Sequence, residues 1–268
     1  MLITFEVLYG STLQMSTLTK NQIKELLDTK AKQYNQVSFI QDDPIQIPHL
    51  FSKKEDIEIA GFLAATIAWG QRKTIINNAK FLMEKMDFAP HQFILTHQKK
   101  DLEVFKNFKH RTFNFLDLSF FLKSLQNIYL NHGGLETLFS STHTNYERII
   151  HFRSTFEEIG NIGRTAKHVS NPAKGSSAKR LNMFLRWMVR NDNQGVDFGI
   201  WKKINPATLL CPLDVHTGNV ARKLGILKRT QNDWKSVMEL SKNLVSFDKK
   251  DPIKYDFALF GLGAYEKF

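Results

Sequence analysis

The sequence predicts an all-α fold. Apolar residues recur at helical spacing along almost the whole chain, and capping and stop residues punctuate each run. No stretch shows the sustained apolar–polar alternation of a convincing strand. Helix-on-helix packing of nine or ten helices follows.

Ile23, Leu26 and Leu27 share one face, which predicts a helix over Lys20–Gln33. Pro44 and Pro48 make Asp42–His49 a loop. Ser52-Lys53-Lys54-Glu55 has the form of a capping box opening a long helix that ends near Gly70, and a second helix follows over Lys73–Met86. Residues 87–112 are mixed and basic. Asp117 opens a helix whose stripe is Leu118, Phe121, Leu122, Leu125 and Ile128, and Gly133-Gly134 stops it. Thr144-Asn145-Tyr146-Glu147 is another box, with Gly160 as its stop. A helix is expected from Ser177 to Arg190, then a connector over 191–213 carrying Gly195, Gly199, Pro206 and Pro212. Asp214 caps a short helix ending at Gly225, and Asn232–Val245 is the next helix. Asp251-Pro252 opens the last helix, Ile253–Leu262. Residues 1–15 read as a poorly constrained extension, with Met15 as a second start, and lack the marks of a signal peptide.

The chain has 268 residues, of which 42% are hydrophobic and 24% charged, so it can bury a large core and is not a disordered chain. One cysteine, Cys211, excludes a disulfide scaffold and a cysteine-clustered zinc or iron–sulfur site, and suits a reducing cytoplasm. No apolar run reaches the roughly 18–20 residues of a membrane helix. The 37 Lys and Arg against 26 Asp and Glu leave a formal charge of +11, which favours a polyanionic partner. Between Asn161 and Asn191 there is no acid at all.

Three local features could carry chemistry. Gly175-Ser176-Ser177-Ala178-Lys179 opens a helix with small residues, where backbone N–H groups can meet a phosphate. Lys179 would stand in the first turn, where the helix dipole opposes an ammonium, as a nucleophilic amine requires. By residue type alone a surface lysine in a basic loop is the commoner explanation. Asp214 is a helix cap, and a cap carboxylate facing a cleft can also stabilise a cationic transition state. Trp69-Gly70-Gln71-Arg72-Lys73 joins a tight turn, an amide and two cations at a helix junction, which a polar loop also explains. His216 reads as a satisfied core or surface histidine. Trp187, Phe198, Trp201 and Trp234 are candidate stacking residues, although aromatics more often serve the core.

Taken together, these stretches resemble the helix-hairpin-helix (HhH-GPD) superfamily of DNA glycosylases. Gly175–Lys179 is similar to its glycine–x–glycine–x–lysine hairpin, with Ser177 at the second glycine and Lys174 where proline is usual. Leu213–Gly225 resembles its aspartate-bearing helix, with the histidine and threonine after the aspartate in swapped order, Tyr255–Gly263 its late helix and Ala64–Lys73 its early helix. More closely, the whole chain resembles an uncharacterised bacterial family distantly related to these enzymes.

The resemblance implies two helical lobes with a cleft between them. Residues 1–52 hold the N-terminal extension and a helix of the terminal lobe, 53–190 form the central lobe, and 191–268 complete the terminal lobe. It implies Lys179 as the Schiff-base nucleophile and Asp214 as the carboxylate beside the developing cation. Lys174, Gly175, Ser176, Ser177 and Arg180 would grip DNA phosphates together with Arg72 and Lys73, and Gln71 would probe the space left by an extruded base. The implied activity is base excision with abasic-site lyase action on duplex DNA, by a nucleoid-associated, cytoplasmic monomer without metal or cofactor. A water-activating monofunctional glycosylase and a non-catalytic nucleic-acid binder are the alternatives. The connector 191–213 is the expected seat of substrate-specific contacts.

Overall fold

The computed structural model describes residues 18–160 and 162–268. The proposed extension and second start at Met15 lie outside them. Eleven α-helices are present among these residues: α1 (Lys20–Tyr34), α2 (Lys54–Thr66), α3 (Arg72–Lys85), α4 (Pro90–Thr96), α5 (Phe115–Asn131), α6 (Gly134–Ser140), α7 (Asn145–Glu157), α8 (Lys179–Val189), α9 (Val215–Lys223), α10 (Trp234–Val245) and α11 (Tyr255–Ala264). The all-α expectation therefore holds, with a two-stranded ribbon as its minor exception. In that ribbon β1 (Lys109–His110) pairs antiparallel with β2 (Phe113–Asn114). The described helices include none long and apolar enough to cross a membrane.

Local chemistry explains several helix starts. Thr19 caps α1, with Gln22 returning the bond, and Thr144 with Glu147 does the same for α7. Asn114, three residues ahead of Asp117, caps α5 and forms its box. Two expected caps are not made. α2 begins at Lys54 after Lys53, so Ser52 lies outside the helix, and the first-turn Asp56 instead accepts from the His91 N–H of α4 at 2.8 Å. Asp251 precedes a 3-10 turn (Pro252–Lys254) without capping it, because its carboxylate accepts from Arg190 at 2.9–3.1 Å. Gly133 and Gly134, with φ of 70° and 86°, end α5 and at once open α6, a helix that their pattern as a stop does not announce.

One continuous core runs from Ile23 to Leu262. α2 packs on α3, α4 and α8, and α5 packs on α4, α6 and α7. α1 packs along α11, which also meets α9. Gly261 makes the α1–α11 approach possible, since a β-carbon there would overlap the Tyr34 ring. Asp42–His49 is a chain of short turns, with Pro44–Gln46 packed on α2 and α3.

Candidate functional site

α8 is set up by an unusual entry. A 3-10 turn (Pro172–Lys174) leads to Gly175 at φ 85°, then Ser176, Ser177 and Ala178 at φ 49°, before Lys179 opens the helix. The second left-handed residue is thus Ala178, one place after Ser177. That conformation costs a non-glycine residue roughly 1–2 kcal/mol and persists only where the surroundings enforce it. They do so here. Gly175 accepts from the Trp234 N–H at 3.0 Å, and Ser176 bridges Asp233 at the start of α10. The Ser177 hydroxyl reaches the Leu213 carbonyl at 3.4 Å, and Asn182 donates to the Ser177 carbonyl at 3.1 Å. The hairpin is therefore fastened to the segment that leads into α9.

That fastening joins two helix N-termini. Lys179 Nζ lies 3.7 Å from Asp214 Oδ2, with the two side chains 27% and 22% exposed. Asp214 is also the cap of α9: its Oδ1 accepts from the Thr217 N–H at 2.9 Å. One oxygen is fixed by the backbone and the other faces the amine. The dipole of α9 supports the carboxylate while that of α8 opposes the ammonium.

The pair opens on a cleft of about 540 Å³. Phe39, Trp69, Phe257 and Phe260 supply apolar wall. Its polar lining includes Asp43, Asp256 and Arg186, which are 8%, 5% and 4% exposed. Burial pushes the Asp256 carboxyl up to about 6, although Arg186, which donates to it, and Lys179 both pull it down. Burial likewise raises the Asp43 carboxyl against the pull of its Ile45 N–H bond and of Arg186, Arg72 and Lys179. Arg186 also holds Asp197, which pairs with Arg190 at 3.0 Å, so the lining rests on a buried ion network. The Thr217 hydroxyl lines the cleft, buried and with no hydrogen-bond partner.

Six of the ten residues expected to act on or grip DNA line this one cleft: Lys179, Asp214, Arg72, Ser176, Ser177 and Arg180. Gln71, Lys73, Lys174 and Gly175 are exposed and do not line it. Arg72 stacks over Phe260 and Tyr265 at 5.0 and 5.1 Å and donates to the Tyr265 hydroxyl at 2.9 Å. Arg180 is more committed. It lies 4.9 Å from the Trp69 ring centroid and donates to the Thr66 and His168 carbonyls, and burial pushes it down to about 10. It clasps the end of α2 rather than presenting a free cation.

Trp187, Trp201 and Trp234 belong to the core, so the aromatic faces at the cleft come from Trp69 and the Phe residues named above. Of the connector, Pro212 alone lines the cleft. Val196, Trp201, Leu209 and Cys211 are buried in the core. His216, exposed, stands at the rim. Asp43 and Asp256 were not singled out from sequence. For Asp256 a signal existed, because it is the one acid in an otherwise apolar helix. Among the described residues no three His, Cys, Asp or Glu side chains converge as metal ligands would.

Residues 43–265 match the family described as "Protein of unknown function (DUF2400)", and the chain belongs to that family. No curated protein and no solved structure matches it.

Proposed function

We propose that this DUF2400 protein is a DNA base-excision glycosylase with abasic-site lyase activity. The observation that supports it most is the Lys179–Asp214 pair, 3.7 Å apart at two helix N-termini and lining a cleft walled by aromatic rings. A flipped base stacks well on such rings, and a glycosidic bond is reachable only once the base has left the duplex. The helices on either side of the cleft would act as the two lobes of a helix-hairpin-helix glycosylase.

In the proposed reaction the Lys179 amine lone pair forms a bond to C1′ of the sugar. The C1′–N bond breaks, and its electron pair leaves with the base. Asp214 stabilises the positive charge that develops on the sugar. The sugar ring then opens to an imine on Lys179, and loss of a C2′ proton expels the 3′ phosphate. The +11 charge and the exposed Lys73 and Lys174 would supply affinity for the backbone.

Borohydride trapping tests this. Wild type, Lys179→Ala and Asp214→Asn are mixed with duplexes holding an abasic site, 8-oxoguanine, uracil, an oxidised pyrimidine or an alkylated purine. A covalent adduct made by wild type and lost in Lys179→Ala is the expected result. Base release without an adduct, lost in Asp214→Asn, would replace the lyase with a water-activating enzyme. Binding without either would leave a nucleic-acid binder.

A further inference from the structure

The ribbon β1–β2 is pinned beside the cleft. His110, 1% exposed, donates through Nε2 to the Trp69 carbonyl at 3.0 Å and accepts from Asn78 of α3 at 2.9 Å. Arg164 donates to the Thr112 carbonyl at 3.1 Å, and to Asn114 and Asp117 at 2.8 and 2.7 Å. The strands pair His110 with Phe113, so Arg111 and Thr112 form the whole loop. Arg111 has φ 54°, whereas Thr112 is not left-handed. A two-residue loop of that pattern normally takes glycine at its first place. Here an arginine holds it, in a conformation that a β-carbon makes unfavourable.

The arginine side chain lies along the Gly70 backbone. A β-carbon at Gly70 would stand 3.2 Å from Arg111 Cδ and 3.3 Å from its Nη1. Trp69, Gly70 and Arg72 line the cleft, and Arg111 stands just outside it, at the rim. It is exposed, and among the described residues its guanidinium has no hydrogen bond or ion pair. The neighbouring guanidinium groups are committed, Arg72 to Tyr265 and Arg164 to Asp117. Arg111 is thus a free cation held in one place by a pinned ribbon and a bare glycine.

We propose that Arg111 grips a backbone phosphate of the duplex DNA whose extruded base enters the cleft, an inference that rests on the base-excision reading. A base inside the cleft leaves the phosphates of its strand at the rim, where this guanidinium lies. The planar fork of an arginine takes two oxygens of one phosphate, and such a contact positions the strand without reading its sequence. Gly70 acquires a purpose as well. Its φ of 108° and the close approach of Arg111 both leave no room for a side chain there.

Arg111→Gly removes the guanidinium and gives the loop the residue its backbone favours, so it should melt within about 4 °C of wild type. The probe is a fluorescent duplex carrying a tetrahydrofuran abasic analogue, titrated by anisotropy between about 50 and 200 mM KCl. One phosphate contact fewer should make the slope of log K against log salt shallower by about 0.9. Binding at the lowest salt should weaken at least about 10-fold. Arg111→Lys keeps the charge and should restore most of the slope. Unchanged affinity, or weaker affinity with an unchanged slope, overturns the inference. So does an Arg111→Gly variant melting more than about 4 °C below wild type, which would make the arginine a strut of the ribbon. Borohydride trapping on an aldehydic abasic duplex runs in parallel. A slope that follows Arg111 in a protein that makes no adduct would refute base excision and leave the phosphate contact standing. A wild-type adduct with a slope indifferent to Arg111 would do the reverse, and a wild type that binds no duplex would overturn both.

Discussion

Asp214 holds two jobs on two oxygens, and two substitutions separate them. Its Oδ1 accepts one cap bond, from the Thr217 N–H at 2.9 Å. Losing such a cap costs about 1 kcal/mol, whereas asparagine caps as well as aspartate. Its Oδ2 faces Lys179 at 3.7 Å. At an effective dielectric near 20 that separation gives a raw attraction of about 4 kcal/mol. Each partner keeps about a quarter of its side chain in water, and screening reduces the net contribution to about 0–1 kcal/mol. Asp214→Asn should therefore lower stability by less than about 1 kcal/mol and Asp214→Ala by about 1–2 kcal/mol. For a chain of this size that is a shift of roughly 2–4 °C per kcal/mol. Both variants lose the charge, and base release should fall about 100-fold or more in each. Thermal melts beside single-turnover base release read the two effects separately. An asparagine variant melting as low as the alanine one would refute the capping argument. An asparagine variant with near wild-type turnover would refute the electrostatic one.

Arg186→Met should destabilise the fold by about 3–5 kcal/mol in chemical denaturation, because it leaves the buried Asp256 carboxylate without its guanidinium; a loss under about 1 kcal/mol would mean that the ion network is dispensable. Gly261→Ala should cost about 1–3 kcal/mol through collision with the Tyr34 ring, and Tyr34→Ala should relieve part of that cost in the double variant. Stability should also fall with acid through His168, whose imidazole is pushed down to about 4 chiefly by burial. The unfolded chain then binds the proton more tightly than the native one. Stability is thus full above about pH 6.5 and is lost progressively toward pH 4, by up to about 3 kcal/mol. His168→Gln should flatten that part of the pH–stability curve, and an unchanged slope would assign it to other groups.

What the sequence made legible was mostly local. The Thr144–Glu147 box, the Asp214 cap and the Gly225 stop depend on residues within one turn of each other, and each is found where its pattern predicts. The Ser52 box failed because α2 starts one residue later, at Lys54 after Lys53, and the Asp251 cap because Arg190 claims that carboxylate. α6 stayed hidden because Gly133-Gly134 reads as a stop, and the same positive-φ pair also begins a helix. For the site, Lys179 and Asp214 could be named because each sits at a recognisable helix start. The hairpin is held to the starts of α10 and α9 by the bonds from the Trp234 N–H to the Gly175 carbonyl and from the Ser177 hydroxyl to the Leu213 carbonyl, which no local pattern encodes. Asp43 looked like a loop residue beside a proline. Only tertiary packing turns it into a buried carboxylate that lines the cleft.

The proposed Lys179 chemistry is tested most directly by borohydride trapping of the full chain on an abasic duplex, with Lys179→Ala beside it. The variant should fold like the wild type, since the Lys179 side chain is partly exposed and its one ion pair is weak. The expected result is a covalent protein–DNA adduct whose mass maps to Lys179, present in wild type and absent in the variant. An adduct of equal yield in Lys179→Ala, or no adduct on any duplex from a wild type that binds DNA, would contradict it.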